Sequence, residues 1–121
     1  FKGGSALASF ENLIDHKNVS KIECALKTID KIILDLKIKS VDFIKCDSEG
    51  SELFVIQGAE QAIKKFKPII LIELYEEWCQ RCGYSSTDVL NILKSWGYEP
   101  FQAINGILKR TNDLKFCDIE R

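Results

Sequence analysis

The sequence has 121 residues, of which 45% are apolar and 29% are charged. This composition is typical of a soluble globular domain and excludes a disordered or fibrous chain. Seventeen basic and eighteen acidic side chains give a net charge of −1, which argues against a nucleic-acid binder because such proteins need a basic face. No apolar run approaches the roughly 18 residues of a membrane helix, so we expect no membrane span.

The cysteine and methionine counts bear on location and chain length. Five cysteines cannot all pair within one chain, and Cys24, Cys46 and Cys117 stand alone in apolar or strand-like surroundings. This pattern favours reduced thiols and a cytoplasmic location. The sequence has no methionine and starts at Phe1 without a signal-peptide pattern, so we expect a piece of a longer protein.

The first predicted elements follow a weakly patterned, loop-like stretch at residues 1–20. Residues 21–26 are interpreted as a strand, and Thr28 as the N-cap of a helix. Residues 41–47 are typical of a short apolar strand. The helix that Thr28 caps has an apolar stripe of Ile29, Ile32, Ile33 and Leu36.

A turn and a second helix follow at residues 48–66. Residues 48–50 form the predicted turn, Ser51 is the expected N-cap, and Glu52 stands in the first helical turn. We expect Gly58 to kink or break this helix. The apolar stripe consists of Leu53, Ile56, Ala59, Ala62, Ile63 and Phe66.

The next predicted strand is apolar at every position. Pro68 starts it, residues 69–72 form it, and Glu73 ends it. A strand of this kind is expected to be buried on both faces, as in a parallel sheet that helices cover.

The last predicted elements are a helix over residues 86–96 and a hairpin. Asn105 and Gly106 separate two apolar runs, at 98–104 and 107–110, and Asn-Gly is a strong hairpin signal because both turn positions need positive φ. The expected capping residues of the helix are Ser85, Asp88 and Gly97.

Alternating strands and helices followed by a hairpin predict a three-layer α/β sandwich with a mainly parallel sheet and a C-terminal antiparallel hairpin. Ligands of open α/β sheets bind beyond the carboxyl ends of the strands, which points to residues 47–50 and to Glu73. Carboxylates there could act as a general base, bind a divalent cation or accept hydrogen bonds from a polar substrate. They could equally cap the following helices.

Several segments together resemble the FkbM-family methyltransferases. The central motif is VDFIKCDSEGSE at 41–52, followed by VIQGA at 55–59 and PIILIE at 68–73. LKTID at 26–30 and the Leu93…Gly97-Tyr98 pattern extend the resemblance to about residues 22–110.

The resemblance implies an S-adenosylmethionine-dependent O-methyltransferase with a Rossmann-like class I fold, acting on a small-molecule or saccharide hydroxyl. No glycine-rich cofactor loop follows a strand in this sequence. We therefore expect residues 1–121 to be one partial domain, the C-terminal half, without the cofactor-binding N-terminal half. Such a piece is expected to bind the cofactor weakly and to be inactive alone.

The resemblance also suggests site residues. Asp47 or Glu49 would be the catalytic base or a metal ligand, with Lys45 as an orienting partner. Glu73, Glu52 and Tyr75 would contact the acceptor. Asp47 and Ser48 would lie at the cofactor. Tyr75, Trp78 and Tyr84 all follow the strand at 69–72 and could line an acceptor pocket or simply pack. The metal requirement and the oligomeric state stay open.

Two alternatives remain from the sequence. Trp78-Cys79-Gln80-Arg81-Cys82 follows a strand as in thioredoxin-like thiol-disulfide oxidoreductases, where a low-pKa thiolate attacks disulfides. The thioredoxin fold needs a helix, a strand and a connection between the redox pair and a later proline. Residues 83–99 hold only one predicted helix, so the spacing argues against this interpretation. The other alternative is a non-catalytic remnant of a methyltransferase.

Overall fold

The computed structural model describes residues 22–111, so residues 1–20 and Cys117 lie outside the described residues. The strand predicted at 21–26 is wrong for its described part, because residues 22–28 are exposed and form no regular element. No helix within 22–111 has the length and apolar character to cross a bilayer. The elements are α1 (Ile29–Asp35), β1 (Phe43–Cys46), α2 (Glu52–Gln57), α3 (Glu60–Phe66), β2 (Ile69–Ile72), α4 (Glu76–Arg81), α5 (Ser86–Ser95), β3 (Phe101–Ile104) and β4 (Ile107–Arg110).

Strands β1 and β2 pair in parallel, which confirms the predicted arrangement of these two strands. The register runs from Phe43 opposite Ile69 to Cys46 opposite Ile72. The ladder continues past the last pair, because the Glu73 N–H donates to the Cys46 carbonyl at 3.0 Å. The chain therefore leaves both strands at the same edge.

The core lies on one face of this short sheet. Side chains alternate along a strand, so Ile44 and Cys46 of β1 point to the same face, where both are buried. Ile70 and Ile72 of β2 face the same way and pack partly buried against the core. The other core residues come from the helices, the link between α2 and α3, and the segment after α4: Ile56, Ala59, Ile63, Cys79, Tyr84, Val89 and Leu93.

The opposite face of the sheet is open within residues 22–111. Phe43 is 54% exposed, Ile69 70% and Leu71 56%. The prediction that β2 is buried on both faces is therefore wrong for the described part of the chain, since no described element packs on this side. What the structure shows is a mixed α/β arrangement of a helix-covered parallel pair and a hairpin; a third layer stays a prediction.

Helix α1 begins as the sequence predicts. The Thr28 hydroxyl accepts a hydrogen bond from the Lys31 N–H at 3.2 Å, the usual N-cap contact. The predicted apolar stripe is only partly covered: Ile29 and Ile33 are half-buried, whereas Leu36 is 69% exposed, and α1 has no fully buried residue. Among the described residues, only Ile29 of α1 packs against the core, so apolar contacts within 22–111 contribute little to the docking of α1.

Gly58 ends α2, which confirms the predicted break. A Cβ at Gly58 would lie 3.2 Å from Thr28 Cβ, so the glycine permits close approach of the segment before α1. The Asp30 N–H donates to the Gly58 carbonyl at 2.9 Å. The Asp30 carboxylate accepts from the N–H groups of Gln61 and Ala62 at 3.0 and 2.8 Å, and so caps α3 from a neighbouring helix.

The last helix and the C-terminal hairpin also form where the local sequence predicts them. Ser85 and Asp88 form a complete capping box at the start of α5. Asn105 and Gly106 adopt φ of 51° and 77° between β3 and β4, which pair antiparallel. The strand predicted from residue 98 starts at Phe101, after Pro100. The hairpin forms its own two-stranded sheet in the described residues.

We expect Asp30→Ala to lower the free energy of unfolding by about 1 kcal/mol, because the substitution leaves two helix N–H groups of α3 without their acceptor. Urea denaturation followed by circular dichroism measures this change. Asp35→Ala is the matched control in the same helix, since Asp35 makes only exposed ion pairs with Lys27 and Lys31. The control should cost less than about 0.5 kcal/mol. Equal losses in both variants would contradict the capping role.

Candidate active site

The predicted carboxylates lie where the parallel strands end. Asp47 follows β1 directly and Glu73 follows β2, and the Glu73 N–H to Cys46 carbonyl bond holds the two strand ends side by side. The Lys45 ammonium forms an ion pair with the Asp47 carboxylate. Both side chains lie partly in solvent, with exposed fractions of 60% and 34%. The edge thus carries two acidic groups and one basic group that solutes can reach.

Lys45 stays cationic at this edge. The hydrogen bond to Asp47 is the main cause that holds the pKa of Lys45 above its ordinary value, and the charges of Asp47 and Glu73 act in the same direction. A lysine in the interior of a strand needs such a partner when it is buried, but here the side chain extends into solvent. Its ammonium can therefore orient the Asp47 carboxylate or an anionic group of a ligand.

The turn after β1 has two left-handed residues in succession. Glu49 has φ of 52° and Gly50 has φ of 91°. A Cβ at Gly50 would lie 3.1 Å from Cys82 Sγ and 3.2 Å from the Trp78 carbonyl oxygen. Glycine is therefore required here both by the backbone conformation and by the close packing of the turn on α4.

Glu52 lies buried beneath this turn, with 3% of its surface exposed. Its Oε1 accepts hydrogen bonds from the Ser48 N–H at 2.8 Å, the Ser48 hydroxyl at 3.0 Å and the Gly50 N–H at 3.3 Å. Ser51 occupies the N-cap position of α2, but its side chain makes no capping bond. The carboxylate of Glu52 instead binds N–H groups of the turn that precedes the helix, so the predicted capping role of Ser51 is wrong.

Tyr84 completes the environment of Glu52 from 32 positions further along the chain. Its hydroxyl lies 3.1 Å from Glu52 Oε2 and 3.0 Å from the Gly50 carbonyl oxygen, and can donate to either. The Leu53 N–H donates to the same hydroxyl at 3.5 Å. Burial raises the pKa of Tyr84 well above its ordinary value, so the hydroxyl keeps its proton. The sequence predicts only packing or a pocket wall for Tyr84, because no local pattern links this residue to the turn.

Tyr75 lies three residues beyond β2 and is 47% exposed. Its ring meets the Trp78 ring edge to face at 5.1 Å, and its hydroxyl donates to Glu77 at 3.4 Å. Of the three residues predicted to contact an acceptor, Glu73 and Tyr75 are open to solvent. The third, Glu52, has its oxygens turned to the protein.

Two clefts lie away from the strand-end carboxylates. The larger, of about 690 Å³, lies between the start of α1, α2 and the end of α4. The other, of about 390 Å³, lies between the end of α5 and the hairpin. Neither is lined by Asp47, Glu49 or Glu73. Within residues 22–111, no group of three or more His, Cys, Asp or Glu side chains is arranged to hold a metal ion.

The methyltransferase FkbM domain matches the chain over residues 2–100. The chain belongs to the FkbM methyltransferase family. The match confirms the resemblance seen in the sequence, but it begins some 20 residues earlier than the quoted motifs and ends before the hairpin. No curated protein and no solved structure matches the chain significantly.

Membership of the FkbM family leaves the Cys-x-x-Cys motif to be explained, and its surroundings are unlike those of a redox pair. Cys79 is fully buried, and burial raises the pKa of its thiol. Cys82 packs against the turn at Gly50. A disulfide oxidoreductase needs an accessible thiolate of low pKa, so the thioredoxin-like alternative is not supported.

We expect Gly50→Ala to destabilise the FkbM domain by about 2 kcal/mol more than Gly83→Ala, because a methyl group at Gly50 would press on α4. Gly83 is the matched control. Its φ of 84° is nearly the same, but nothing lies within 4 Å of a Cβ placed there. The control therefore bears only the left-handed backbone cost of about 1–2 kcal/mol. Equal losses in chemical denaturation would mean that Gly50 does not need to pack on α4.

We expect Cys79 to react with iodoacetamide at pH 8 at least about tenfold more slowly than Cys24, which is exposed. The raised pKa leaves less of the reactive thiolate at Cys79, and its burial limits access. Peptide mapping by mass spectrometry gives both rates in one sample. In denaturant the two rates should converge. Fast labelling of Cys79 in the folded chain, or turnover in an insulin-reduction assay, would restore the redox interpretation.

Proposed function

We propose that this chain takes part in S-adenosylmethionine-dependent O-methyl transfer to a hydroxyl group of a small molecule or saccharide. The parallel pairing of β1 and β2 carries the proposal, because it sets Asp47 and Glu73 at adjacent strand ends in a chain of the FkbM family. Ligands of open α/β sheets bind at this edge. Family membership supports methyl transfer in general; the cofactor and the acceptor class are our proposal.

The residues at the edge fit the cofactor in part. S-adenosylmethionine, when bound, supplies a methyl group on a cationic sulfur. The carboxylates of Asp47 and Glu73 give the edge a negative character that suits a cation. The Asp47 side chain is partly exposed there, and Ser48 follows it. We propose that Asp47 and Ser48 hold the cofactor.

The chain's own task in such a reaction is to orient an acceptor hydroxyl and to remove its proton. We assign Asp47 or Glu49 as the base, whose carboxylate oxygen takes the proton from the hydroxyl. Lys45 holds Asp47 in place through its ion pair. Either carboxylate could instead bind a divalent cation that lowers the pKa of the hydroxyl. Glu73 and Tyr75 are both exposed beyond β2. Glu73 would accept a hydrogen bond from the methyl acceptor, and the ring of Tyr75 would pack against it.

The proposal includes a division of labour along the chain. We assign residues 1–121 to one partial domain that carries the acceptor side of the site. Cofactor binding by this segment alone is expected to be weak, so the activity test belongs in the full-length protein.

We expect Asp47→Asn or Glu49→Gln in the full-length protein to lower the methyl-transfer rate by about 100-fold or more, the usual cost of losing a general base. The measurement is S-adenosylhomocysteine release in the presence of a panel of monosaccharides and simple alcohols. Each variant keeps the size of the side chain and removes only its charge, so folding should persist.

Glu60→Gln is the matched control for these variants. Glu60 is an exposed carboxylate at the start of α3, and it pairs with Lys64 rather than with any residue at the strand ends. It should retain the wild-type rate. Wild-type rates in both Asp47→Asn and Glu49→Gln would remove the site assignment. No release from the wild-type protein with any acceptor would favour the non-catalytic remnant.

A further inference from the structure

We propose that Tyr84 is a positioning residue for methyl transfer, which acts with Glu52 to hold the turn at residues 48–50 and thereby fixes Asp47 and Glu49 at the strand edge. The inference rests on the proposed function, since it concerns the same site. It replaces acceptor contact by Glu52, which the resemblance suggests, with a role beneath the site.

The turn depends on these two side chains for its hydrogen bonds. Glu52 Oε1 accepts from two backbone N–H groups, those of Ser48 and Gly50, and also from the Ser48 hydroxyl. The Gly50 carbonyl lies 3.0 Å from the Tyr84 hydroxyl. Because Glu49, a non-glycine residue, adopts a left-handed conformation, the turn needs such outside contacts to persist.

Tyr84 is itself fixed by two helices. Its N–H donates to the Cys79 carbonyl at 3.1 Å, which ties it to the end of α4. Its ring meets the Phe54 ring of α2 edge to face, with 5.9 Å between the centroids. The side chain is only 9% exposed. Because α4 holds the backbone of Tyr84 and α2 contacts its ring, the hydroxyl can transmit the placement of both helices to the turn.

The same geometry argues against direct substrate contact by Glu52 or Tyr84. Glu52 is 3% exposed, and both of its oxygens contact groups of the protein. A buried carboxylate is stable only when donors surround it, so an acceptor could reach it only by breaking these bonds. Tyr84 likewise turns its hydroxyl to Gly50 and Glu52. Both residues therefore act through the turn.

Tyr84→Phe in the full-length protein tests this role, with Tyr98→Phe as its matched control. The substitution keeps the ring and removes one hydroxyl. Tyr98 also donates to a backbone carbonyl, that of Pro68 at 2.9 Å, but away from the turn. We expect amide hydrogen exchange at Ser48 and Gly50 to become about tenfold faster in Tyr84→Phe and to stay unchanged in Tyr98→Phe.

The kinetic counterpart is S-adenosylhomocysteine release with the same panel of alcohols and monosaccharides. A turn that orients the base predicts that Tyr84→Phe lowers kcat about tenfold and leaves KM unchanged. Unchanged exchange at Ser48 and Gly50 in Tyr84→Phe would overturn the inference, as would a rise in KM alone. If the wild-type protein releases no product, the proposed function fails, and the exchange data still decide whether Tyr84 holds the turn.

Two variants of Glu52 separate positioning from substrate contact. Glu52→Gln keeps an acceptor oxygen for the three donors of the turn and places an amide group beside the Tyr84 oxygen, whereas Glu52→Ala removes all of these contacts. We expect Glu52→Gln to keep most of the turnover and of the exchange protection, and Glu52→Ala to lose both. Loss of turnover in Glu52→Gln with protection intact would overturn the positioning role, because it would mean that the charge itself is needed.

Discussion

The buried carboxylate of Glu52 is the constraint on which the rest of the site depends. An ionisable group with 3% exposure needs hydrogen-bond donors on every side, and here they come from the turn after β1 and from Tyr84. One side chain thus joins the end of a strand, the start of α2 and the segment after α4. The placement of the exposed carboxylates at the edge depends on this buried one. Acidic residues a few positions apart therefore have different roles, structural for the buried carboxylate and chemical, as proposed, for the exposed ones.

Parallel pairing of β1 and β2 adds the second half of the site. The ladder continues one residue beyond the strands, and it brings together residues that are 26 positions apart in sequence, Asp47 and Glu73. Parallel neighbours need a long crossover, which α2 and α3 supply. The break at Gly58 and the cap from Asp30 belong to that crossover. Some residues of the apparent catalytic motif therefore hold the scaffold together.

Sequence reasoning succeeded where the signal is local. The capping box at Ser85, the Asn-Gly turn and the break at Gly58 were predicted because each depends on a few neighbouring residues. It failed where the cause lies elsewhere in the chain. The exposure of Ile69 depends on what packs over the sheet, and the position of Tyr84 depends on a contact across 34 residues with Gly50. Helix α4 was also missed; its first residue, Glu76, binds the N–H and hydroxyl of Ser86, another contact beyond its own turn.

Helix α1 is attached to the rest of the fold mainly by polar contacts. Its Asp30 caps α3 and donates its N–H to Gly58, while Leu34 and Leu36 point into solvent. As far as residues 22–111 are concerned, detaching α1 would therefore expose little new apolar surface, and such an opening responds only weakly to urea. The segment can separate from α3 as a local fluctuation while the Glu52 carboxylate and its donors stay in place. Local opening of α1, which precedes β1, is thus compatible with a rigid edge where the chemistry is proposed.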